Sequence, residues 1–392
     1  MTGRLETQVV VAGAGPVGLV AALILAKAGV EVILLEKRSG LIAASKASTF
    51  HPATLEILAT LGVLDAMLAE GEIVRRIQYR TPEGPFAEFA LADLSDRTPY
   101  PFRLHLEQAR ITPLLLAQLR QLPNVRVLFD AEFKGVDQDG GIVTVRAIRD
   151  GKPLTISATY LLGADGAHSE VRKSLGLAFD GAVYPDKILR VMTHDDLDIV
   201  LPGLASITYL YNGEKSVSFL KMPDCWRIIL RVSSDTPDDT ALRDSWFSDR
   251  LRDVLPTWSA LPGIVGKDVY GASRRVASDY FVGNAFLIGD SAHVTNTRGG
   301  MNMNCGIHDA LTLASAMIEG LRTGQRGGVV AAARERKRVA EEMLIPRTDR
   351  NVAGGTAWLE KVRQIASSPD TASDYLSTAA MLDMVERPAY AN

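Results

Sequence analysis

The feature that most constrains this sequence is a Gly-x-Gly-x-x-Gly pattern at positions 13–18. The β-branched run at residues 8–12 predicts a buried strand before it, and residues 30–35 predict a second buried strand. Residues 16–29 predict a helix, because a proline stands near the start and a glycine at the end. Strand, helix and strand joined by short links predict a parallel βαβ unit.

Each glycine of this pattern has its own role in a nucleotide site. Gly13 permits a tight turn, Gly15 lets the backbone approach a pyrophosphate, and Gly18 lets helix and strand pack closely. The helix start offers unpaired N–H groups and a positive dipole to phosphates. Glu36, 18 positions after Gly18, can accept hydrogen bonds from ribose hydroxyls. The motif predicts an adenosine site for either NAD or FAD, and a βαβ unit without a ligand is the structural alternative.

A second motif, Gly163-Ala-Asp165-Gly166-Ala-His168-Ser169, follows a predicted strand at residues 160–162. Its Asp-Gly pair predicts a turn, and the residues after the turn predict a helix. Taken alone, the motif is compatible with a loop in which Ser169 caps that helix.

A third motif follows a predicted strand at residues 286–288, which ends in Gly-Asp before a loop rich in glycine and asparagine. Asp290 is placed to bind the hydroxyl of a polyol. The backbone N–H groups around Met303 and Asn304 precede a helix predicted over residues 307–321. They could hold the carbonyl oxygen of a flavin pyrimidine ring, where the helix dipole favours the negative charge of a reduced flavin.

The remaining pattern predicts an excursion from this nucleotide-binding body and a return to it. Alternation at residues 142–162 predicts a hairpin, and alternation at residues 205–232 predicts a separate antiparallel sheet. Further helices are predicted over residues 54–61, 113–121 and 235–257, with a strand at residues 125–129. The tail from residue 331 is predicted helical, and the charge run at residues 334–338 is predicted to be a solvated helix face.

Composition excludes several classes of protein. A net charge of −3 over 392 residues lacks the basic footprint of a nucleic-acid binder. The apolar stretch at residues 9–35 is interrupted by glycines, Pro16 and Lys27, which argues against a membrane span or a signal peptide. Cys225 and Cys305 are far apart and without metal-ligand spacing, so they predict a reducing compartment, the cytoplasm, and no metal site.

The three motifs, in this order and at these separations, resemble the signature of the class A flavoprotein monooxygenases, the family of para-hydroxybenzoate hydroxylase. The resemblance runs from about residue 9 to about residue 338 and implies FAD as the cofactor. By this resemblance Glu36 holds the adenosine ribose, Gln108 and Asp290 lie along the ribityl and pyrophosphate chain, and Met303 and Asn304 touch the isoalloxazine. The implied FAD-site residues are Gly13, Gly15, Pro16, Gly18, Glu36, Lys37, Lys46, Gln108, Asp165, Gly166, Asp290, Gly300, Met303 and Asn304.

Three departures from the family pattern concern the flavin pocket. Lys46 stands where family members commonly have an arginine, and a lysine lacks the fork that binds two oxygens at once. Asn296-Thr297 and Met301-Asn302 occupy positions where the family usually has a proline and a Gln-Gly pair. Flavin binding is still expected, with a changed shape of the pocket in which oxygen is activated.

The resemblance implies a cycle in which NADH or NADPH reduces FAD and oxygen adds at flavin carbon 4a. The resulting hydroperoxide would hydroxylate a small phenolic, aromatic-acid or N-heterocyclic ring, with no metal required. No catalytic residue is assigned. Tyr209, Tyr211 and Arg227 are substrate candidates because they lie on the predicted antiparallel sheet, where cross-strand packing is the alternative. His51 and His105 are candidates for proton relays or for structural histidines, and His293 is expected to order its loop.

The predicted fold is α/β, a Rossmann-like FAD-binding domain interleaved with a substrate domain built on a mostly antiparallel β-sheet. The FAD-binding domain is assigned to residues 1–75, 101–178 and 275–350, the substrate domain to residues 76–100 and 179–274, and a C-terminal helical segment to residues 351–392. A homodimer formed through the late helices is compatible with the sequence.

Three other functions stay open. A reductase or dehydrogenase of the same superfamily would carry the same motifs, and coupled oxygen uptake would distinguish it. A flavin-dependent halogenase shares the architecture, although the sequence lacks a Trp-x-Trp-x-Ile-Pro stretch. A non-catalytic flavin-binding or partner-binding protein is the third, and a colourless protein that takes up no FAD would favour it.

Overall fold

The computed structural model describes residues 3–43, 47–256, 258, 263–352 and 356–387. Lys46, an expected FAD contact, lies outside these ranges. In the described part of the chain, no helix combines the length and the apolar character that crossing a bilayer requires.

The predicted βαβ unit is present and forms the centre of a parallel sheet. Val9–Ala12 and Val32–Leu35 pair in parallel, with Val9 opposite Val32, and the helix Pro16–Lys27 connects them. Both strands are buried at every position, as expected for strands covered on two faces. The full strand order across this sheet is Phe281–Val282, Ala285–Leu287, Tyr160–Gly163, Val9–Ala12, Val32–Leu35 and Val125–Leu128.

A second, larger sheet faces the carboxyl ends of the parallel strands. The antiparallel sheet predicted at residues 205–232 is confirmed, because this segment forms three neighbouring antiparallel strands of the larger sheet. One of the three, Ile207–Asn212, also pairs in parallel with the earlier strand Arg76–Thr81. Across this sheet the strands are His293–Val294, Ile264–Ala277, Phe179–Thr193, Trp226–Ser233, Lys215–Lys221, Ile207–Asn212, Arg76–Thr81 and Gly84–Ala90. The division of the chain into domains stays a prediction.

Two small sheets complete the described β-structure. The predicted hairpin at residues 142–162 lies in the first of them, which contains Gly3–Glu6, Lys152–Ala158, Ile142–Arg149 and Ala131–Asp139. The end of the predicted hairpin segment leaves this sheet and joins the parallel sheet as Tyr160–Gly163. The second small sheet contains Thr49–Phe50, Arg103–His105 and Glu72–Val74.

Helices cover the sheets and fill the C-terminal part of the chain. The described α-helices are Pro16–Lys27, Pro52–Thr60, Leu64–Glu70, Gln108–Arg120, Glu170–Ser174, Asp238–Ala241, Asp244–Val254, Met301–Thr323, Gly327–Val339, Ile345–Val352, Thr356–Ala366 and Pro369–Ala379. Short 3₁₀ segments lie at Leu91–Leu94 and Gly289–Ser291, and a π-helical turn lies at Ala340–Leu344.

Two helix starts differ from the prediction. The helix expected from residue 307 begins at Met301, directly after Gly300, whose left-handed φ of 64° turns the chain into the helix. The helix expected from Pro113 begins at Gln108 and contains Pro113. The Pro113 ring lies on the exposed face, where water can solvate the carbonyl that loses its partner.

The interpretation of residues 334–338 as a solvated face is wrong for one residue. Arg334 and Arg338 are exposed, but the side chain of Arg336 is 2% exposed and lies under the helix. Val329, Ala333, Arg336 and Ala340 are all buried, at the spacing of one helix face. Arg336 is tolerated there because it pairs with a buried carboxylate, described below.

Candidate active site

A cavity of about 720 Å³ lies between the carboxyl edge of the parallel sheet and the large sheet. This is the position where open α/β sheets bind ligands. The expected FAD-site residues that line it are Gly13, Gly15, Pro16, Glu36, Lys37, Gln108, Asp165, Gly166, Asp290, Gly300 and Met303. Gly18 and Asn304 are not part of its wall. Of the substrate candidates, Tyr209 and Arg227 line the cavity, and Tyr211 does not.

Two glycines of the Gly-x-Gly-x-x-Gly turn allow close backbone packing, and the third borders open space. A Cβ on Gly13, whose φ is 108°, would lie 2.4 Å from the Ala164 carbonyl oxygen. A Cβ on Gly18 would lie 2.0 Å from the Gly13 carbonyl oxygen. A Cβ on Gly15 would meet nothing within 4 Å and would project into open space beside the cavity. The turn therefore leaves a cradle at the helix start that fits a pyrophosphate.

Glu36 is held in place by the same turn. Its carboxylate is buried at the cavity wall, where Oε2 accepts from the Ala14 N–H at 3.0 Å and Oε1 from the Arg38 N–H at 3.0 Å. A carboxylate has about four acceptor directions, so these bonds leave capacity for ribose hydroxyls. The arrangement fits the adenosine end of a dinucleotide.

Asp165 shares its carboxylate between the local helix and the cavity. It accepts from the Ser169 hydroxyl at 2.5 Å and from the N–H groups of Glu170 and Val171 at 2.7 and 3.0 Å. Ser169 in turn accepts from the Arg172 N–H at 2.9 Å, which confirms Ser169 as the helix cap. Burial raises the pKa of Asp165 above its usual value, and these hydrogen bonds offset only part of the rise. The second motif is thus a stabilised loop that reaches the cavity wall.

The far end of the cavity is formed by residues 294–303, which we call the ring loop. A Cβ on Gly300 would lie 2.8 Å from the Thr49 Cβ, so only glycine fits this approach. Because the helix begins at Met301, the unpaired N–H groups of its first turn belong to residues 301–303, which line the cavity. These N–H groups can donate hydrogen bonds to a flavin carbonyl oxygen, which is the role predicted for the backbone around Met303 and Asn304.

Asn304 itself has a different environment. Its side chain is buried, and its amide nitrogen donates to the carbonyl oxygens of Thr49 at 2.8 Å and Gly300 at 2.6 Å. Its amide oxygen accepts from the His51 N–H at 3.0 Å. Asn304 therefore fixes the ring loop from behind. Asn302, one of the departures from the family pattern, donates to Asp290 at 2.8 Å and orients that carboxylate.

Comparison with known proteins fits this geometry. Residues 6–345 match the family described as "FAD binding domain". Para-nitrophenol 4-monooxygenase of Pseudomonas sp. (strain WBC-3) is 30% identical over 331 residues, which cover 81% of this chain and 79% of the relative. The chain belongs to the class A FAD-dependent aromatic hydroxylases. It is a flavoprotein monooxygenase.

Further relatives cover nearly the whole chain of this hydroxylase. The 6-hydroxy-3-succinoylpyridine 3-monooxygenase HspB of Pseudomonas putida (strain DSM 28022 / S16) is 29% identical over 388 residues, which cover 95% of this chain and 97% of the relative. The crystal structure of p-nitrophenol 4-monooxygenase PnpA from Pseudomonas putida DLL-E4 superposes with a TM-score of 0.85 and 26% identity. The superposition covers 97% of this chain and 99% of that one.

A buried ionic network supports the ring loop of the hydroxylase. Asp309 accepts from Arg336 Nε at 2.7 Å, lies 2.8 Å from His293 Nε2, and accepts from the Gly289 N–H at 3.0 Å. Burial would raise the pKa of Asp309, but His293 and Arg336 hold it well below its usual value. Burial would likewise lower the pKa of His293, but Asp309 raises it well above the usual value. A protonated His293 donates from Nδ1 to Asn302, 3.1 Å away.

This network orders the loop as expected for His293, but the sequence analysis missed its other two members. Cys305 also converges here, and ligand atoms of His293, Cys305 and Asp309 lie within 4.8 Å of one another. The Arg336 guanidinium, 3.3 Å from the Cys305 sulfur, already supplies a cation to this group. Arg336 lies at helical spacing from the apolar residues Val329, Ala333 and Ala340, and this spacing is the feature of the sequence that could have predicted its burial.

The other two candidate histidines lie behind the cavity wall. His51 Nε2 is 2.8 Å from the Gly299 carbonyl oxygen, and burial lowers its pKa well below the usual value. His105 Nδ1 is 2.6 Å from the Lys221 carbonyl oxygen, and burial lowers its pKa to about 4. Neither histidine lines the cavity. Both histidines are therefore neutral near pH 7 and have a structural role.

The ring end of the cavity carries cationic and aromatic side chains. Arg227 is buried, pairs with Glu107, and donates to the Ser48 hydroxyl at 2.8 Å. Wall residues that sequence reasoning missed are Arg103, Tyr184, Arg190, Tyr270 and Arg298. Arg103, Tyr184, Arg190 and Tyr270 lie on strands without a recognisable motif and reach the cavity through the pairing of distant strands. Arg298 lies in the ring loop, next to the glycines of the third motif. Tyr211 lines a smaller adjoining cavity of about 260 Å³.

Proposed function

We propose that this monooxygenase uses NADH or NADPH and molecular oxygen to hydroxylate a small phenolic or N-heteroaromatic ring. The observation that carries the proposal is the single cavity that joins the glycine turn to the ring loop beneath the large sheet. Relatives named for p-nitrophenol and for a hydroxylated pyridine support this class of substrate.

The residues present fit FAD along the length of this cavity. In this proposal the adenosine and pyrophosphate lie at Glu36 and Gly15, and Gln108 and Asp290 contact the ribityl and pyrophosphate chain. The first-turn N–H groups of residues 301–303 hold the pyrimidine part of the flavin. Lys37, Asp165 and Gly166 complete the wall near the pyrophosphate. Bound FAD would supply electron transfer from the pyridine nucleotide and activation of oxygen.

The protein would contribute position and electrostatics to the reaction. An electrophilic oxygen reacts best with an electron-rich ring, so a phenol is most reactive with phenolate character. The buried guanidinium of Arg227 places positive charge at the ring end of the cavity, where such a phenolate would develop. Tyr209 and Tyr270 offer apolar faces to the ring and restrict water at this end of the cavity.

The test is oxygen transfer by the FAD-loaded protein. Phenols and hydroxypyridines are screened for stimulated oxidation of NADH and NADPH under ¹⁸O₂, and products are examined by mass spectrometry. The expected result is a hydroxylated product containing one ¹⁸O atom, with little hydrogen peroxide. Oxidation of the pyridine nucleotide that gives only hydrogen peroxide for every substrate would contradict the proposal and favour a reductase.

The proposed location is the cytoplasm. Cys225 and Cys305 are both unpaired thiols, which fits a reducing compartment. Assembly into a homodimer stays a prediction, and size-exclusion chromatography with light scattering would test it.

A further inference from the structure

A second cavity of about 260 Å³ adjoins the ring end of the main cavity, and we call it the basic annex. The two cavities share Arg103, Tyr209, Arg298, Gly299 and Met301 in their walls. The rest of the annex wall comes from the strands Arg76–Thr81 and Ile207–Asn212 and from the C-terminal helices. A ligand with its ring beside Tyr209 can therefore extend a substituent into the annex.

The described wall of the annex is strongly cationic. It contains Arg103, Arg298, Arg347, Arg350 and Lys361, and it contains neither aspartate nor glutamate. Within the described part of the chain, only Arg347 among the five has a carboxylate partner, Asp383. The annex therefore has more positive charge than its own side chains neutralise.

Arg103 is the deepest of these charges. It is 4% exposed, and its Nη2 donates to the Ala379 carbonyl oxygen at 2.9 Å. Its Nε is buried without a hydrogen-bond partner among the described residues. An arginine stays charged in proteins, and a buried charge without a counter-charge is unfavourable. An anionic ligand would satisfy this guanidinium.

The annex wall also contains five aromatic side chains, Tyr79, Tyr209, Tyr211, Trp358 and Tyr375. The hydroxyl groups of Tyr79 and Tyr375 lie 2.9 Å apart, and Arg298 donates to the Tyr211 hydroxyl at 3.0 Å. The Arg298 guanidinium also lies 5.5 Å from the ring centre of Tyr209. These rings suit a short apolar chain, and the guanidinium groups suit its charged end.

The cations of the annex wall differ in their exposure to solvent. Arg350 and Lys361 are exposed, Arg298 and Arg347 are half-buried, and Arg103 is buried. Exposed cations at an opening raise the rate of encounter with anions, and buried guanidinium groups bind the desolvated anion. The annex wall therefore combines exposed cations suited to encounter with a buried guanidinium suited to binding.

We propose that the basic annex binds the carboxylate of an acidic phenol whose ring lies in the main cavity. This inference rests on the proposed function and narrows its substrate class to phenols with a carboxylate on a short side chain. A phenolate oxygen alone would leave most of the annex unfilled, since a water-sized group occupies roughly 30 Å³ of liquid volume. A carboxylate with one or two methylene groups uses both the aromatic wall and Arg103.

The test compares matched acids and amides by calorimetric binding to the FAD-loaded protein. The probes are 3- and 4-hydroxyphenylacetate, 3- and 4-hydroxyphenylpropionate, and the primary amide of each. At least one acid is expected to bind about tenfold or more tighter than its amide, because a charged hydrogen-bond partner is desolvated with the guanidinium. This difference should shrink as salt is raised, owing to the exposed cations.

Two variants assign the effect to the annex. Arg103→Met should abolish the preference for the acid, measured as the ratio of acid to amide affinity in the same variant. The thermal midpoint of the unliganded variant should not fall, because the substitution removes an unpaired charge. Arg350→Gln should reduce the preference partially. Arg363→Gln is the matched control, since Arg363 lies on the same helix as Lys361, pairs with Glu360, and is absent from the annex wall.

The outcomes separate this inference from the proposed function. If no acid binds more tightly than its amide, or if Arg103→Met keeps the preference, the annex does not bind carboxylates and the inference is overturned. If acids are preferred but no ¹⁸O enters any product, the annex assignment stands and the monooxygenation of these phenols fails. Tight binding of the amides only above the pKa of the phenol would identify the phenolate as the bound anion and would also overturn the inference.

Discussion

The two ends of the main cavity are built in different ways. The nucleotide end is made mainly from one contiguous segment, residues 9–36, whose backbone shape is fixed by where a Cβ can and cannot fit, and the loop at residues 164–166 completes its wall. The ring end is made from side chains such as Arg103, Tyr209 and Arg298, which are brought together by strand pairing, by the ring loop and by the C-terminal helices. A site made from local backbone is visible in a sequence, and a site made from distant side chains depends on the whole topology.

The largest effect is expected in the ionic network behind the ring end. Arg336→Ala leaves Asp309 buried with one cation fewer, and breaking a buried pair of this kind costs about 3–5 kcal/mol. Arg338→Ala, two positions along the same helix, removes an exposed charge and should leave stability unchanged. Urea unfolding of both variants measures the difference. Equal stabilities of the two variants would mean that the ring end does not depend on this network.

At the nucleotide end the sensitive feature is backbone packing. Gly18→Ala places a Cβ 2.0 Å from the Gly13 carbonyl oxygen, so the helix must shift and lose about 1–3 kcal/mol of stability. Gly40→Ala is the control, because a Cβ there meets nothing within 4 Å. Thermal unfolding of the FAD-free proteins provides the measurement. A Gly18→Ala protein as stable as the control would remove the steric argument for this end.

A dependence on pH should come from the ring end, where His105 is buried with its pKa lowered to about 4. The unfolded chain takes up a proton near pH 6.5 and the folded chain does not, so stability falls as the pH decreases from about 6.5 to about 4. Each such histidine contributes about 1.4 kcal/mol per pH unit in this window.

His105→Gln keeps a donor for the Lys221 carbonyl oxygen and removes the titration. Its stability, measured by urea unfolding at pH 5, 6 and 7, should therefore fall less steeply with acid than that of the parent protein. An unchanged slope would show that His105 does not titrate in this window.

The smallest effect separates cofactor binding from folding at the nucleotide end. Gly15→Ala adds a Cβ in open space, so the FAD-free protein should be as stable as the parent. The same methyl group would keep the backbone from a pyrophosphate, and FAD affinity should fall about tenfold, or about 1.4 kcal/mol. Fluorescence titration with FAD measures this change. Unaltered affinity would place the pyrophosphate away from Gly15.

These differences explain how far the sequence could be interpreted. The βαβ unit was predictable because its strands, helix and turn depend on neighbouring residues. The helix start at Met301 was misplaced because the stretch from Gly299 to Asn304 lacks an apolar period. Arg336 was assigned to the surface because its partner, Asp309, comes from another helix. The basic annex has no local signature, since its charges lie between residues 103 and 361.

The most direct test of the account is the flavin that the FAD-free protein selects. FAD carries the adenosine half that the glycine turn and Glu36 are proposed to hold, and FMN carries only the ring half. Incubation with each flavin, followed by gel filtration and absorbance, should give a yellow protein with about one FAD per chain and little retained FMN. A colourless protein, or FMN retained as well as FAD, would contradict the claim that both ends of the cavity hold one dinucleotide.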